Sequence, residues 1–491
     1  MALMFTLLPL YYSDNYYNIL HDKRDVFHLF AEILLVVVAG SLLVGLFFAV
    51  KNKTIAQKAK QAVKQIRALD IVMAAFAIAA VISTYAGADY RQSMSGEAAW
   101  DVGTKAIIIS ALVYFVISRC YTGKKDIWVY LYLGSFAVLL IGVIDRLGYD
   151  FLVMHDEIPL QYNIFISTIG NVNFWAGYLS LIVPFFMVAP LFFKHVGSRF
   201  FTYIFLLVAY FSMFITLTNT TYIGIGIGAL FVVWYSLRDV KRLKNLAANG
   251  ILFSIAGAVA EFLWRKPCTP RPIDMDSVTS LLLKHRLYVV PGIIGIAILL
   301  IMLIIAVIPE KYKKKADGFV EKMVSRFWLL LILTGVIGVV FYLIYNYNLE
   351  LFNYRGSIWY FAFHGYLDGT PWQKVMGVGP GLLDTVTQAQ IAKADFEVVW
   401  NWFYCTAHND LLEYLVTMGG VGFALKLLMY VLPFVMFAKK STWQTEKAAV
   451  LAALVGYIGQ GLFTGPYILT YVFYIIFLGV LCAYDRMGNE K

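Results

Sequence analysis

The sequence predicts an all-α integral membrane protein with about 12–14 transmembrane helices and one large extracytoplasmic loop. Three observations carry that prediction. The 491 residues are 60% hydrophobic and only 14% charged, with a mean hydropathy of +0.72, whereas soluble domains carry about a quarter charged residues. Apolar runs of roughly 17–25 residues recur along the chain, long enough to cross a bilayer as helices. The Lys and Arg residues concentrate in short loops that alternate with loops poor in them. In a polytopic protein that alternation is a topology signal. The net charge of +10 is therefore read as positive-inside bias rather than as a nucleic-acid surface.

The elements follow in order. Residues 1–10 form a short apolar run, half a span in length, and Tyr11 to Asp25 a polar, aromatic loop. No small-residue cleavage site follows Met1, so the first span is expected to serve for insertion. Phe27–Val50 is the first full span and ends on Lys51, Lys53, Lys58, Lys60, Lys64 and Arg67, which puts that loop inside. Ile71–Tyr85 goes out and Ala106–Ser118 returns to Arg119, Lys124 and Lys125. Ile127–Ile144 goes out and Phe174–Phe193 returns to Lys194 and Arg199. Phe201–Leu217 goes out, and Tyr222–Leu237 returns to Arg238, Lys241, Arg242 and Lys244. Leu246–Trp264 goes out, and Tyr288–Ile308 returns to Lys311, Lys313, Lys314 and Lys315. Phe327–Tyr347 goes out, and Leu411–Phe437 returns to Lys439, Lys440 and Lys447. Ala448–Leu462 and Tyr467–Tyr484 complete the bundle. One missed span would place later basic loops outside, so the regularity checks the count. The chain divides into N-terminal helices (1–347), an extracytoplasmic loop (348–410) and C-terminal helices (411–491).

The long loop is expected to hold the active site. Arg355 and Trp359 are four apart and share a face, with Phe363, if that part is helical. A guanidinium beside aromatic rings suits a phosphate, to which it donates two parallel hydrogen bonds; the alternative is an arginine snorkelling from the preceding span. Gly377-Val378-Gly379-Pro380-Gly381 requires a tight turn, since glycine permits positive φ. Its N–H groups either form an anion nest or simply close the loop. His408 precedes Asp410 and Glu413, which have the form of a capping box, so a helix is expected to start at about Asp410. That places His408 at a positive helix end facing outside solvent, as a group for proton transfer or as a packing residue. Lys426, inside a predicted span, has no partner in the sequence and either serves function or snorkels. Asp274-Met275-Asp276 has the form of a metal-binding Asp-x-Asp, but two carboxylates in a loop are common and no metal site is expected. Cys268 and Cys405 fall on the same side and are candidates to pair.

Taken together, these residues resemble the superfamily of bacterial O-antigen ligases and O-antigen polymerases. The resemblance rests on Arg355, Trp359, Pro371, Gly377, Gly379, Gly381, Ala407-His408-Asn409 and Gly419-Gly420, in that order. A second element, Gly170-Asn171-Val172-Asn173 through Ala176 and Leu179, is similar as well. The resemblance implies a GT-C-like, metal-independent, inverting glycosyltransferase with no cofactor. Its donor would be a glycan on undecaprenyl diphosphate, its acceptor a hydroxyl on a glycan, lipid or protein, and its place the cytoplasmic membrane with the site facing outside. It implies Arg355 and His408 as catalytic residues. Trp359, Gly377, Gly379, Gly381, Asn409, Asn171 and Asn173 would bind substrate. The chain departs from the family at Leu217-Thr218-Asn219-Thr220-Thr221-Tyr222, where the family often carries Ser-Arg-Gly; either Arg265, Lys266 or Arg271 takes over the missing cation, or its role is lost. Ligase and polymerase are not separated by the sequence. The competing class is a multispan transporter, which would place polar groups near mid-membrane.

Overall fold

The computed structural model describes residues 1–155, 162–266, 268–307, 346–393, 404–439 and 441–489, with a discontinuous set within 326–345. The expected loop at Lys311, Lys313, Lys314 and Lys315, Lys440, and parts of the expected span Phe327–Tyr347 lie outside the described residues.

Helices make up nearly all regular structure among the described residues. They are α1 (Ala2–Leu10), α2 (Ile19–Lys51), α3 (Ile55–Lys64), α4 (Ala68–Ala86), α5 (Tyr90–Ser95), α6 (Thr104–Cys120) and α7 (Ile127–Arg146). After them come α8 (Val172–Val188), α9 (Val196–Phe214), α10 (Thr220–Ser236), α11 (Val240–Arg265), α12 (Ser277–Lys284) and α13 (Val289–Val307). The long loop contributes α14 (Leu351–Asp368), α15 (Pro371–Met376) and α16 (Leu383–Ile391), followed by α17 (Asp410–Thr417), α18 (Gly419–Ala438), α19 (Gln444–Gly461) and α20 (Ile468–Asn489). A two-residue antiparallel pair, Phe165–Ile166 with Gly170–Asn171, leads directly into α8.

Among the described residues, eight helices are long and apolar enough to cross a membrane, or nine if the pair α12–α13, bent by 56°, is one span. The chain is thus an all-α multispan membrane protein. The other expected spans correspond to shorter helices: α6 and α10 have 17 residues each, and α19 carries Glu446 and Lys447 in its first turn. Two expectations are corrected. The polar stretch Tyr11–Asp25 is half helical, since α2 begins at Ile19. The single span Leu411–Phe437 is broken at Met418–Gly419, where Gly419 has φ +68° and its Cβ position lies 2.3 Å from the Val375 carbonyl. Only glycine allows that contact.

Burial separates the inner from the outer helices. The apolar window of α20 is 100% buried and that of α2 only 6%, so α20 is a central strut while α2 presents apolar side chains to lipid. The interior is packed through small residues. A Cβ on Gly456 of α19 would lie 1.9 Å from the Ser180 carbonyl of α8, and one on Gly224 of α10 would lie 2.1 Å from Ser180 Oγ. Such approaches drive helix association where lipid tails remove the hydrophobic gain.

Polar contacts among the described residues group the helix ends into two sets. At one end, Asp70 at the start of α4 accepts from Arg119 at the end of α6 (2.7 Å), from Arg486 of α20 (2.8 Å) and from Tyr114 (2.8 Å). Lys447 pairs with Asp485 at 3.1 Å and Lys125 with Glu446 at 2.7 Å at the same end. At the other end, Ser83 Oγ donates to the Thr417 carbonyl, Gln92 to Asp384, and Asn409 to the Leu462 carbonyl. The long loop packs here, against the turns following α4 and α19.

Asp70→Ala is expected to destabilise the protein by about 3–5 kcal/mol, because it strands the buried Arg486 guanidinium without its carboxylate. A fall in the thermal midpoint of the detergent-solubilised protein checks this; an unchanged midpoint would mean that the ion-pair cluster contributes nothing net.

Candidate active site

The turn between α5 and α6 organises the site. Gly96 has φ +74°, and a Cβ there would meet the Gly103 nitrogen at 2.0 Å, so the backbone folds back on itself. Trp100 (φ +53°) and Asp101 (φ +63°) follow in the left-handed region, unusual for their types. The turn is tied down by Asp101 N donating to Gly96 O and by Ile468 N donating to Trp100 O. Its tip forms one wall of a cavity of about 330 Å³.

His408 lines that cavity. Its ring stands edge-on to Trp100 at 5.1 Å between centroids, its φ is +47°, and its Nδ1 is buried without a hydrogen-bond partner. A strained non-glycine residue with an unsatisfied imidazole nitrogen costs stability and is characteristic of functional positions. The expectation that His408 faces open solvent is corrected: the ring lies beneath Trp100. Burial, and secondarily the Arg355 guanidinium, push its pKa from 6.5 down to about 3.

Arg355 is thus close enough to influence His408 electrostatically. It belongs to the regular part of α14, which begins after three left-handed residues, Phe352, Asn353 and Tyr354. Its Nη1 donates to the Phe352 carbonyl at 3.0 Å, while Nε is buried without a partner. Trp359 lies one turn on, as expected, against Phe352 and Phe463, and its Nε1 is likewise unpartnered. Burial lowers the Arg355 pKa, the electrostatic setting in which an anion is welcome.

Asn171 and Asn173 arrive from α8 and line the same cavity as His408. Asn171 caps α8 through its side-chain oxygen, and Asn173 accepts from Thr218 at 3.1 Å. The structure therefore brings His408, Asn171 and Asn173 together on one cavity.

Other expected site residues are placed elsewhere. Gly377, Gly379 and Gly381 do have positive φ (+80°, +116° and +79°). However, Gly377 N donates to Gln373 O and Gly379 N to Thr417 O, and a Cβ at Gly377 would meet the Thr417 backbone at 2.2 Å. The turn closes the loop onto the α17–α18 break and is not an anion nest. Asn409, rather than Asp410, caps α17, accepting from Leu411 N and Leu412 N; Glu413 instead accepts from Ala407 N at 2.7 Å. Arg265 is held by Glu261 at 2.6 Å, together with Arg286. Arg271 stacks on Tyr162 at 3.5 Å and lies with Arg146 around a small recess beside Leu217. Asp276 caps α12, and Asp274 accepts from Asn163. Cys268 and Cys405 are free thiols. Lys426 does not snorkel: it is fully buried and pairs with Asp410 at 2.9 Å, ringed by five tyrosines at 4.8–5.6 Å.

Sequence reasoning missed a further cavity constituent, His21. His21, in the first turn of α2, places Nδ1 2.9 Å from Asp101 Oδ1 and 2.8 Å from Oδ2. Arg24 Nη1 donates to the same carboxylate at 2.8 Å and reaches Glu97 at 3.4 Å. Burial raises the Asp101 pKa while Arg24 and His21 oppose it. His21 and Asp101 are 80 residues apart, so no local pattern could link them; the closely spaced Gly96 and Gly103 were the sole hint.

A depressed pKa has a direct consequence for stability. Below pH 6.5 the unfolded chain binds a proton on His408 that the folded chain refuses until about pH 3. Stability therefore falls with pH across that window, and His408→Gln is expected to make the fall in thermal midpoint between pH 7 and pH 4 shallower. An identical fall in both proteins would place His408 in an ordinary solvated setting. The chain matches no protein-family model and no curated protein.

Proposed function

We propose that the chain is a membrane glycosyltransferase of GT-C-like architecture with twelve to fourteen spans. It transfers or polymerises a glycan from an undecaprenyl-diphosphate carrier onto a hydroxyl of a glycan, lipid or protein acceptor. The observation that carries the reading is the convergence of His408, Asn171 and Asn173 on one cavity, although these residues are far apart in sequence; the Arg355 guanidinium acts electrostatically on His408. They belong to the two elements on which the resemblance to the O-antigen ligase and polymerase superfamily rests. The cavity lies at the end of the bundle opposite the Arg67, Arg119, Lys125, Lys447 and Arg486 cluster. The positive-inside bias assigns such a cluster to the cytoplasmic side, which supports a site on the outer face of the cytoplasmic membrane.

In this reading Arg355 binds the diphosphate. Charge builds on the bridging oxygen as the sugar–phosphate bond breaks, so a guanidinium in a water-poor setting stabilises the transition state more than the bound donor. His408, neutral at physiological pH, is a poor proton acceptor and serves to orient the acceptor hydroxyl. A single displacement inverts the anomeric carbon.

One observation favours the alternative of a transporter. The Lys426–Asp410 pair, enclosed by Tyr414, Tyr430, Tyr457, Tyr471 and Tyr474, is the sort of intramembrane charge that ion-coupled carriers use. It connects directly to the start of α17, two residues from His408, and so equally anchors the glycosyltransferase site.

The surface-glycan profile of a deletion strain, complemented by the parent or by Arg355→Lys, tests the proposal. Long-chain glycan collapsing to single repeats is the polymerase outcome. Full-length glycan retained on the carrier is the ligase outcome. Arg355→Lys is expected to restore a tenth or less of the parental product, because an ammonium lacks the planar fork. An unchanged profile with no lipid-linked intermediate would exclude the enzyme. Orientation is tested separately. In a cysteine-free background, Trp372→Cys, at an exposed position of α15, is expected to react with a membrane-impermeant maleimide in spheroplasts; protection would invert the topology.

A further inference from the structure

We propose that His21, oriented by Asp101, is the general base that takes the proton of the acceptor hydroxyl. The inference rests on the glycosyl-transfer reading and assigns to that site a residue from outside both elements that suggested it.

Three observations support it. First, His21 Nδ1 is committed to Asp101, whose side chain is 1% exposed while that of His21 is 41% exposed. A carboxylate accepts from Nδ1–H and thereby leaves Nε2 as the lone-pair nitrogen, the tautomer a base requires. The same carboxylate stabilises the imidazolium that forms. Second, His21 lines the cavity that His408, Asn171 and Asn173 also line. Both histidines hang on one rigid turn: Trp100 edges His408, and the next residue holds His21. Third, Asp101 is fixed more firmly than a surface ion pair needs. Its φ is +63°, its nitrogen is bonded to Gly96 O, and Arg24 Nη1 holds its carboxylate from a second side. A strained, buried carboxylate that positions a half-exposed histidine toward a cavity is the arrangement of a base and its orienter.

The step balances without a further reactant. The acceptor oxygen forms a bond to the anomeric carbon. The bond from that carbon to the diphosphate oxygen breaks, its electron pair staying on the diphosphate beside Arg355. The acceptor proton passes to His21 Nε2, and the imidazolium later releases it to water. His408 then has the separate task of aligning the hydroxyl, and the two histidines are not redundant.

The test uses the full-length protein in liposomes, with lipid-linked glycan extracted from the deletion strain as donor and cell-derived acceptor. His21→Gln and His21→Ala are expected to lower turnover by roughly 10²–10⁴-fold, with donor KM within about threefold of the parent, and added imidazole is expected to restore part of the turnover of His21→Ala. Asp101→Asn is expected to lower turnover as well, and all three variants are expected to elute as the parent does. Turnover of His21→Gln within threefold of the parent, while Arg355→Ala is inactive, would overturn the base assignment and leave the transferase reading standing. A loss confined to donor KM, or one that imidazole does not restore, would make the pair structural and overturn it too. Full activity of Arg355→Ala, or no turnover by the parent, would instead remove the reading on which the inference rests.

Discussion

A backbone amide without a partner in hydrocarbon costs several kcal/mol, so a chain this apolar can cross a bilayer only as helices that satisfy themselves. That constraint leaves little room for polar chemistry along the helices and moves it to their ends. The structure divides accordingly. At one end, basic residues from several helices meet Asp70, Asp485 and Glu446 in a set of buried and half-buried ion pairs. At the other end, loops and short helices fold over the bundle and enclose the cavity. The ion pairs fix which helix neighbours which, and the cavity inherits its wall positions from that arrangement.

The turn Gly96–Gly103 links most of what lies at the cavity end. It receives a hydrogen bond from the start of α20, packs Trp100 against Phe174 of α8 and His408, and offers Asp101 to His21 and Arg24 of α2. Four distant parts of the chain thus share one rigid element. Because interiors are close-packed and deform poorly, their relative positions are set together rather than singly. The Lys426–Asp410 pair does similar work below the site. It holds the first residue of α17 inside the bundle, and Asn409 and the strained His408 precede that residue immediately.

The two histidines differ through their surroundings alone. His408 is enclosed, lacks a partner on Nδ1 and has a guanidinium nearby, so it stays neutral. His21 is half exposed and has a buried carboxylate on one nitrogen. In the proposed transfer reaction that division separates orienting a hydroxyl from removing its proton, since a group held neutral is a poor proton acceptor.

The helix positions were legible in the sequence, because a run of apolar residues of bilayer length has no other stable conformation in lipid. So was the grouping of helix ends, since Lys and Arg mark one side. Positive φ at Gly377, Gly379 and Gly381 was legible too, as was the helix start at Asp410, for these depend on local backbone chemistry. The use of the glycine turn was not: whether its N–H groups face an anion or the Thr417 carbonyl depends on which backbone packs against it. The capping role of Asn409, the pairing of Lys426 with Asp410, the capture of Arg265 by Glu261 and the joining of His21 to Asp101 are likewise contacts between segments. The sequence by itself determined the class of fold and named Arg355, His408, Asn171 and Asn173 as candidates. Only the tertiary structure decided which of them share a cavity and which histidine is buried, because burial and partners depend on distances between segments that no local spacing encodes.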